Sequence, residues 1–159
     1  MDIVGWLLEQ GPFVAWLVAN EALLAFAFLA LTATLVAFGV PGVLLPLSFS
    51  SGALLGGWFG ILVVIAGAVL GSQALFVVSR RWLAARVRRR WGEQIARFDR
   101  RMGQRGFYYL LGLRLVGAPH LLLTTSSALS TIRARSFLLA TLFGLLPAIA
   151  LAAMAGSAV

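Results

Sequence analysis

Arg114 is the side chain with the most telling chemistry in this chain, because it stands between Leu110-Leu-Gly-Leu113 and Leu115-Val116 in an otherwise apolar segment. A charged group at membrane depth costs at least about 2.5 kcal/mol and is usually kept for a pathway or a partner. A guanidinium can hold a phosphate through two parallel hydrogen bonds, which suits a lipid phosphate. The same residue also suits snorkelling to the interface, or pairing with carbonyls that nearby prolines leave free. His120, the single histidine, either hydrogen-bonds within its own segment or titrates at a cavity. Arg80, four residues after Phe76, is a second candidate for drawing phosphate inward, or a plain anchor at the end of an apolar run. Two hydroxyl clusters, Ser48, Ser50 and Ser51, then Thr124, Thr125, Ser126 and Ser127, can satisfy broken backbone or line a hydrated path.

Catalysis is poorly supplied by comparison. There is no cysteine, and the five acidic residues include none in either hydroxyl-bearing segment. No phosphate loop of the Gly-x-x-x-x-Gly-Lys kind occurs, and one histidine builds no metal cluster. Neither an enzyme, nor a cofactor, nor a metal site is expected.

The elements that carry these residues are set by solvent. With 61% hydrophobic residues, 11% charged residues and a mean hydropathy of +0.97, the chain has too little polar surface to close a soluble globule. A spanning helix needs about 20 apolar residues, and the windows are Ala22 to Phe38, Phe59 to Val78 and Phe137 to Ala158. Two breaks interrupt the pattern. One runs from Pro41-Gly42 through Pro46 to Ser51-Gly52 and Gly56, the other from Pro119-His120 to Ser127, and Pro41 precedes Phe59 by the same interval as Pro119 precedes Phe137. Non-helical backbone inside a bilayer must be buried in protein or line a wet cavity, so paired breaks point to a site. The amino-terminal segment lacks a basic flank and a small-residue cleavage site, so it is expected to be retained. Trp6 and Trp16 favour an interfacial helix over Ile3 to Val18 rather than a fourth span.

Arginine sets the orientation. All 13 basic residues are arginine, ten of them between Arg80 and Arg105, and the formal net charge is +8. An excess of arginine in short loops marks the cytoplasmic side, which places 80–105 inside together with Arg133 and Arg135. The span from Phe59 then runs inward and the span from Phe137 outward. Gly106 to Ile132 starts and ends inside, so it re-enters rather than crosses, and Pro41 to Gly56 does the same from the outer face. A kinked pair of ordinary spans over Pro41 to Val78 is the alternative. Leu83, Val87, Trp91, Ile95, Phe98 and Met102 form one helical stripe with arginines on the other faces, an amphipathic helix suited to anionic headgroups at a membrane surface. Nucleic acid is not an expected partner, because topology already accounts for the basic run.

The predicted architecture is all-α and integral to the membrane. It has three or four membrane helices, two opposed re-entrant hairpins in an inverted repeat, and a cytoplasmic amphipathic basic helix. A single membrane domain, 1–159, divides into an interfacial helix and first span (1–38), a hairpin plus span (39–79), the basic helix (80–105) and a second hairpin plus span (106–159). Gly52, Gly56, Gly60, Gly67 and Gly71 permit close helix packing and are compatible with a homo-oligomer.

The ordered series Gly39-Val-Pro41-Gly42, Ser51-Gly52-Ala-Leu-Leu-Gly56, Gly60, Gly67, Gly71 and Phe76-Val-Val-Ser-Arg80 resembles the first half of the DedA family, in its VTT-domain or SNARE-associated Golgi protein branch. Gly106-Phe107, Leu113-Arg114, Pro119, Phe137 to Thr141, Gly144-Leu-Leu-Pro147 and Ala155-Gly156 continue it. The resemblance implies two facing re-entrant hairpins, a role in membrane homeostasis, and movement of phospholipids or polyprenyl phosphates across the inner or plasma membrane. Val43 stands where bacterial members typically carry an acid after Pro-Gly, and Gly117 stands where the Arg-x-x-Pro pattern has its proline, which is displaced to Pro119. Proton coupling through hairpin acids is therefore not expected. The candidate substrate-binding residues are Arg114, Arg80, Pro41, Gly42, Ser51, Gly52, Pro119, His120 and Ser126. A lipid transporter is the leading expectation, with a scaffold that docks through its Arg-rich helix, or a transporter of a small anion or other solute, as alternatives.

Overall fold

The computed structural model describes residues 20–102 and 105–158, and every regular element among them is helical. The proposed interfacial helix over Ile3 to Val18 lies outside the described residues. The elements are α1 (Glu21–Ala37), α2 (Leu44–Leu55), α3 (Gly57–Val78), a π-helical turn (Ser79–Leu83), α4 (Ala84–Met102), α5 (Gly106–Leu115), α6 (His120–Leu129) and α7 (Ala134–Ser157).

Among the described residues two helices are long and apolar enough to cross a membrane: Gly57–Arg86, which runs through the π-helical turn, and Ala134–Ser157. At about 1.5 Å per residue they measure roughly 45 and 36 Å, against a hydrocarbon core of about 30 Å. Trp58 and Trp82 are each 77% exposed near opposite ends of the first of these helices. Phe26, Leu62, Leu70, Phe143 and Leu151 are exposed between polar ends, as side chains facing hydrocarbon are. By contrast α2, α5 and α6, with 12, 10 and 10 residues, measure only about 15–18 Å.

The chain forms two compact units. In one, whose described residues are 20–34, 42–68 and 146–158, Leu24, Leu55 and Val63 are buried with Phe28 and Leu29 packed against them. Helix α2 turns back on α3 at Gly56, whose φ of 84° belongs to the left-handed region that glycine enters without a Cβ penalty. Pro46 does not break α2. It is the third residue of the helix, where the missing N–H has no intrahelical acceptor to lose. Gly52 is likewise not a break but a contact. A Cβ there would lie 1.9 Å from the Ala153 carbonyl oxygen, and one on Gly156 would lie 2.0 Å from that of Phe49, so α2 and the end of α7 meet backbone to backbone. Gly52→Ala or Gly156→Ala is expected to destabilise the protein by about 2–3 kcal/mol, since neither obstacle is a side chain that can move aside. Thermal unfolding in detergent measures this, and an unchanged midpoint would contradict the contact.

The other unit comprises residues 35–41 and 69–145. Phe76, Leu110, Leu123, Ala128, Ile132, Phe137 and Ala140 form its buried core. Helices α3 and α6 run side by side in the same direction, since Ser72 meets His120 and Arg80 meets Ala128 at a constant interval. Gly117, with φ 84°, lies in the turn from α5 to α6, and Pro119 immediately precedes α6. The basic helix α4 is present. Arg86, Arg89, Arg90, Arg97 and Arg100 on it are exposed, while the side chains of Val87, Trp91, Ile95, Phe98 and Met102 in the apolar stripe lie outside the described ones. Asp99 accepts the Thr131 backbone N–H at 2.9 Å and so ties α4 to the segment after α6.

Candidate anion site at Arg114

Arg114 occupies the last turn of α5, where a cation meets the negative end of the helix dipole. It is only 6% exposed. Its aliphatic stem lies over Gly144 of α7, where a Cβ would approach Arg114 Cβ to 2.7 Å and Cδ to 3.0 Å. Any larger residue at position 144 would push the stem away. Cζ sits 5.3 Å from the centroid of Phe137, and Nη1 is 3.0 Å from His120 Nδ1. Nε and Nη2 are buried and have no hydrogen-bond partner.

Those two nitrogens lie along one edge of the guanidinium, the edge that grips two oxygens of a phosphate or carboxylate at once. No carboxylate pairs with Arg114 among the described residues. Nη1 also reaches the first residue of α6, whose opening N–H groups lack intrahelical acceptors and present partial positive charge. Among the described residues no carboxylate offsets these two sources of positive potential. An anionic oxygen pair complements this arrangement.

Arg80 is differently employed. Its Nε donates to the Ala128 carbonyl at 3.1 Å, and Nη2 donates to the carbonyls of Ser130 and Ile132, each at 2.8 Å. The residue caps the end of α6 and holds the segment that follows. Its Cζ lies 4.5 Å from the Phe76 centroid, while the Phe76 and Phe137 rings stack at 4.4 Å with a 21° interplanar angle. Each ring gives one face to the other ring, so the two guanidiniums take the outer faces. The result is a column Arg80, Phe76, Phe137, Arg114, in which each cation faces the negative quadrupole of an aromatic ring.

Several hydroxyls satisfy backbone. Ser48, Thr125 and Ser127 donate to carbonyls four residues earlier at 2.6–2.7 Å, and Ser51 Oγ lies 2.9 Å from the Ser48 carbonyl and 3.4 Å from that of Gly60. Thr124 differs, its Oγ1 lying 3.5 Å from His120 Nε2. Of the candidate residues, Arg114 and His120 come together, and Arg80 joins them through the two rings. Pro119 is exposed and Ser126 half-buried on the same unit, Ser51 and Gly52 are buried in the packing of the other, and Pro41 and Gly42 are exposed in the turn before α2.

Ser72, Phe137 and Gly144 belong to the site without having been expected there. Ser72, Phe76 and Arg80 recur at intervals of four, one face of a helix, and that spacing is the signal that would have found the first of them. Gly144 gave no such signal, because a glycine in an apolar helix does not reveal which side chain crosses it. A family model described as the VTT domain matches residues 40–158. No curated protein and no solved structure matches the chain.

Proposed function

This chain belongs to the VTT-domain family, the DedA and SNARE-associated Golgi protein family, and on that premise we propose that it translocates a phosphate-bearing lipid, with Arg114 as the group that receives the phosphate. What carries the reading is the unpartnered Nε–Nη2 edge of a buried arginine that has no carboxylate partner among the described residues. A phospholipid or polyprenyl phosphate would lend its phosphate oxygens to that edge while its acyl chains stay in the bilayer. No covalent step is involved, so the protein acts as a transporter and not as an enzyme.

In this reading α2 and the α5–α6 pair are re-entrant. Each helix is about half the hydrocarbon thickness, and the arginine distribution has the two segments entering from opposite faces as an inverted repeat. The Arg-rich helix α4 lies on the cytoplasmic face of the inner or plasma membrane, its exposed arginines each contributing roughly 1 kcal/mol of attraction to anionic headgroups. Because the chain has no cysteine, sidedness can be read directly. Pro41→Cys and Thr131→Cys, both at exposed positions, should label from outside and from inside respectively. Outside labelling of Thr131→Cys would overturn the topology.

The test of function is translocation of labelled phospholipid and of polyprenyl phosphate by the purified protein in liposomes. Movement of neither lipid by well-folded protein would sink the proposal. The exposed arginines of α4 favour a second reading, a scaffold docking on anionic lipid. It gains if replacing Arg86, Arg89 and Arg90 with glutamine abolishes cellular function while Arg114→Ala does not.

A further inference from the structure

We infer that His120 is a positioning residue for Arg114: held as the neutral imidazole with its proton on Nε2, it fixes the guanidinium so that the Nε–Nη2 edge is the one offered to an anionic ligand. The inference deepens the proposed function and rests on Arg114 being the anion-binding group.

The tautomer follows from donors and acceptors alone. An arginine nitrogen is a donor in every state a protein allows, so a nitrogen 3.0 Å from Nη1 must carry a lone pair. Nδ1 is therefore unprotonated and the ring proton sits on Nε2. That nitrogen faces two hydroxyl oxygens able to accept it, Ser72 Oγ at 3.3 Å on α3 and Thr124 Oγ1 at 3.5 Å on α6. Either other form of the ring, protonated on Nδ1 alone or on both nitrogens, would set two donors against each other at the Arg114 contact.

The consequence for Arg114 is geometric. Gly144 receives the stem, Phe137 takes one face of the guanidinium, and His120 takes Nη1. These three contacts leave no rotation that keeps all of them, and the two unpartnered nitrogens fall on one shared edge. Without His120, Nη1 joins the unsatisfied donors and the guanidinium is free to turn about its stem, so the bidentate edge loses its aim. A phosphate monoester or diester matches that edge, whether carried on a lipid or free in solution.

Because His120 is the single histidine, labelling the full-length protein with ¹⁵N-histidine reports one imidazole. In detergent micelles without added ligand, the ring nitrogens should show an unprotonated Nδ1 and a protonated Nε2. A ring protonated on Nδ1, alone or together with Nε2, overturns the inference. Binding of dodecyl phosphate then separates positioning from mere packing. His120→Asn places an amide oxygen where Nδ1 stood, whereas His120→Gln places its amide near Nε2 and His120→Phe keeps only the ring shape. The asparagine variant should bind within about threefold of the parent and the other two about tenfold or more weakly. Equal loss in all three, or no loss in the phenylalanine variant, also overturns it. Inorganic phosphate serves as competitor: displacement at similar concentration identifies free phosphate as the ligand, failure to displace identifies the lipid form, and both support the positioning role. Failure of the underlying reading looks different, since dodecyl phosphate would then bind Arg114→Met as well as it binds the parent.

Discussion

Replacing Arg114 by methionine is expected to lower the proposed phosphate-lipid translocation by about tenfold or more and to raise the stability of the folded protein by about 1–2 kcal/mol. The two effects have one cause. Arg114 is only 6% exposed, and two of the three nitrogens of its guanidinium are buried with no partner. A buried charge without compensation costs several kcal/mol. The ring of Phe137 and the lone pair of His120 return only part of that, since a cation–π contact contributes about 0.5–2 kcal/mol. Methionine preserves the stem over Gly144 while discarding the charge, so packing is kept and desolvation is relieved. Translocation should fall because the bidentate edge is gone. Lysine should fail nearly as badly, since an ammonium is a point charge that cannot present two parallel donors at fixed spacing. The measurements are liposome translocation and thermal unfolding of the same preparations. A methionine variant that is less stable than the parent would mean that Arg114 is satisfied in the folded state, and its anion-binding role would lose its main support.

How far all this could be read from the chain alone depends on what kind of physical signal each feature leaves. Apolar windows and arginine clusters act one residue at a time, through transfer cost and loop charge, and they placed α1, α3, α4 and α7 to within a few residues. Breaks are harder, because proline and glycine act through position. Pro46 was expected to interrupt the first short segment, yet it sits in the opening turn of α2 where a missing N–H costs nothing, and the turns fall at Gly42 and Gly56 instead. Gly52 and Gly156 have no unusual backbone to announce them. Their requirement arises from a crossing partner far along the chain, which local spacing does not encode.

The site divides in the same way. Arg114 was conspicuous because charge is rare in an apolar run, and His120 because it is unique. Their pairing was not evident, although six residues and a Gly117 turn bring them to the same side of α5 and α6. Phe76 and Phe137 are unremarkable aromatics in apolar helices, and only packing reveals that their stacked rings stand between two arginines. Arg80 and Arg114 look equivalent in sequence, each an arginine beside an apolar run. Their different uses come from what faces them: carbonyls at and just after the end of a helix for Arg80, and no acceptor for two buried nitrogens of Arg114.

That contrast yields the opposite expectation for the other arginine. Arg80→Ala should destabilise the protein by about 3–5 kcal/mol, because three carbonyls, of Ala128, Ser130 and Ile132, lose charge-assisted donors together. Ala128 lies in the last turn of α6, where the last carbonyls of a helix lack intrahelical partners and the negative end of the dipole favours a cation, and Ser130 and Ile132 lie in the segment that follows. Arg80→Lys retains the charge but not the reach, since a single ammonium cannot stand in for Nε and Nη2 at once, so it should recover less than half of the loss. The Ser130–Ile132 segment would then depend more on the bond from the Thr131 N–H to Asp99, and Asp99→Asn in the Arg80→Ala background should cost more than it does alone, a coupling of about 0.5–2 kcal/mol. Thermal unfolding of the four proteins completes the cycle. Strict additivity, or an Arg80→Ala variant that melts with the parent, would mean that the three carbonyls find other donors and that Arg80 is available to a ligand after all. A loss of stability of the expected size instead assigns Arg80 the task of fastening the end of α6, separate from the anion-binding role proposed for Arg114.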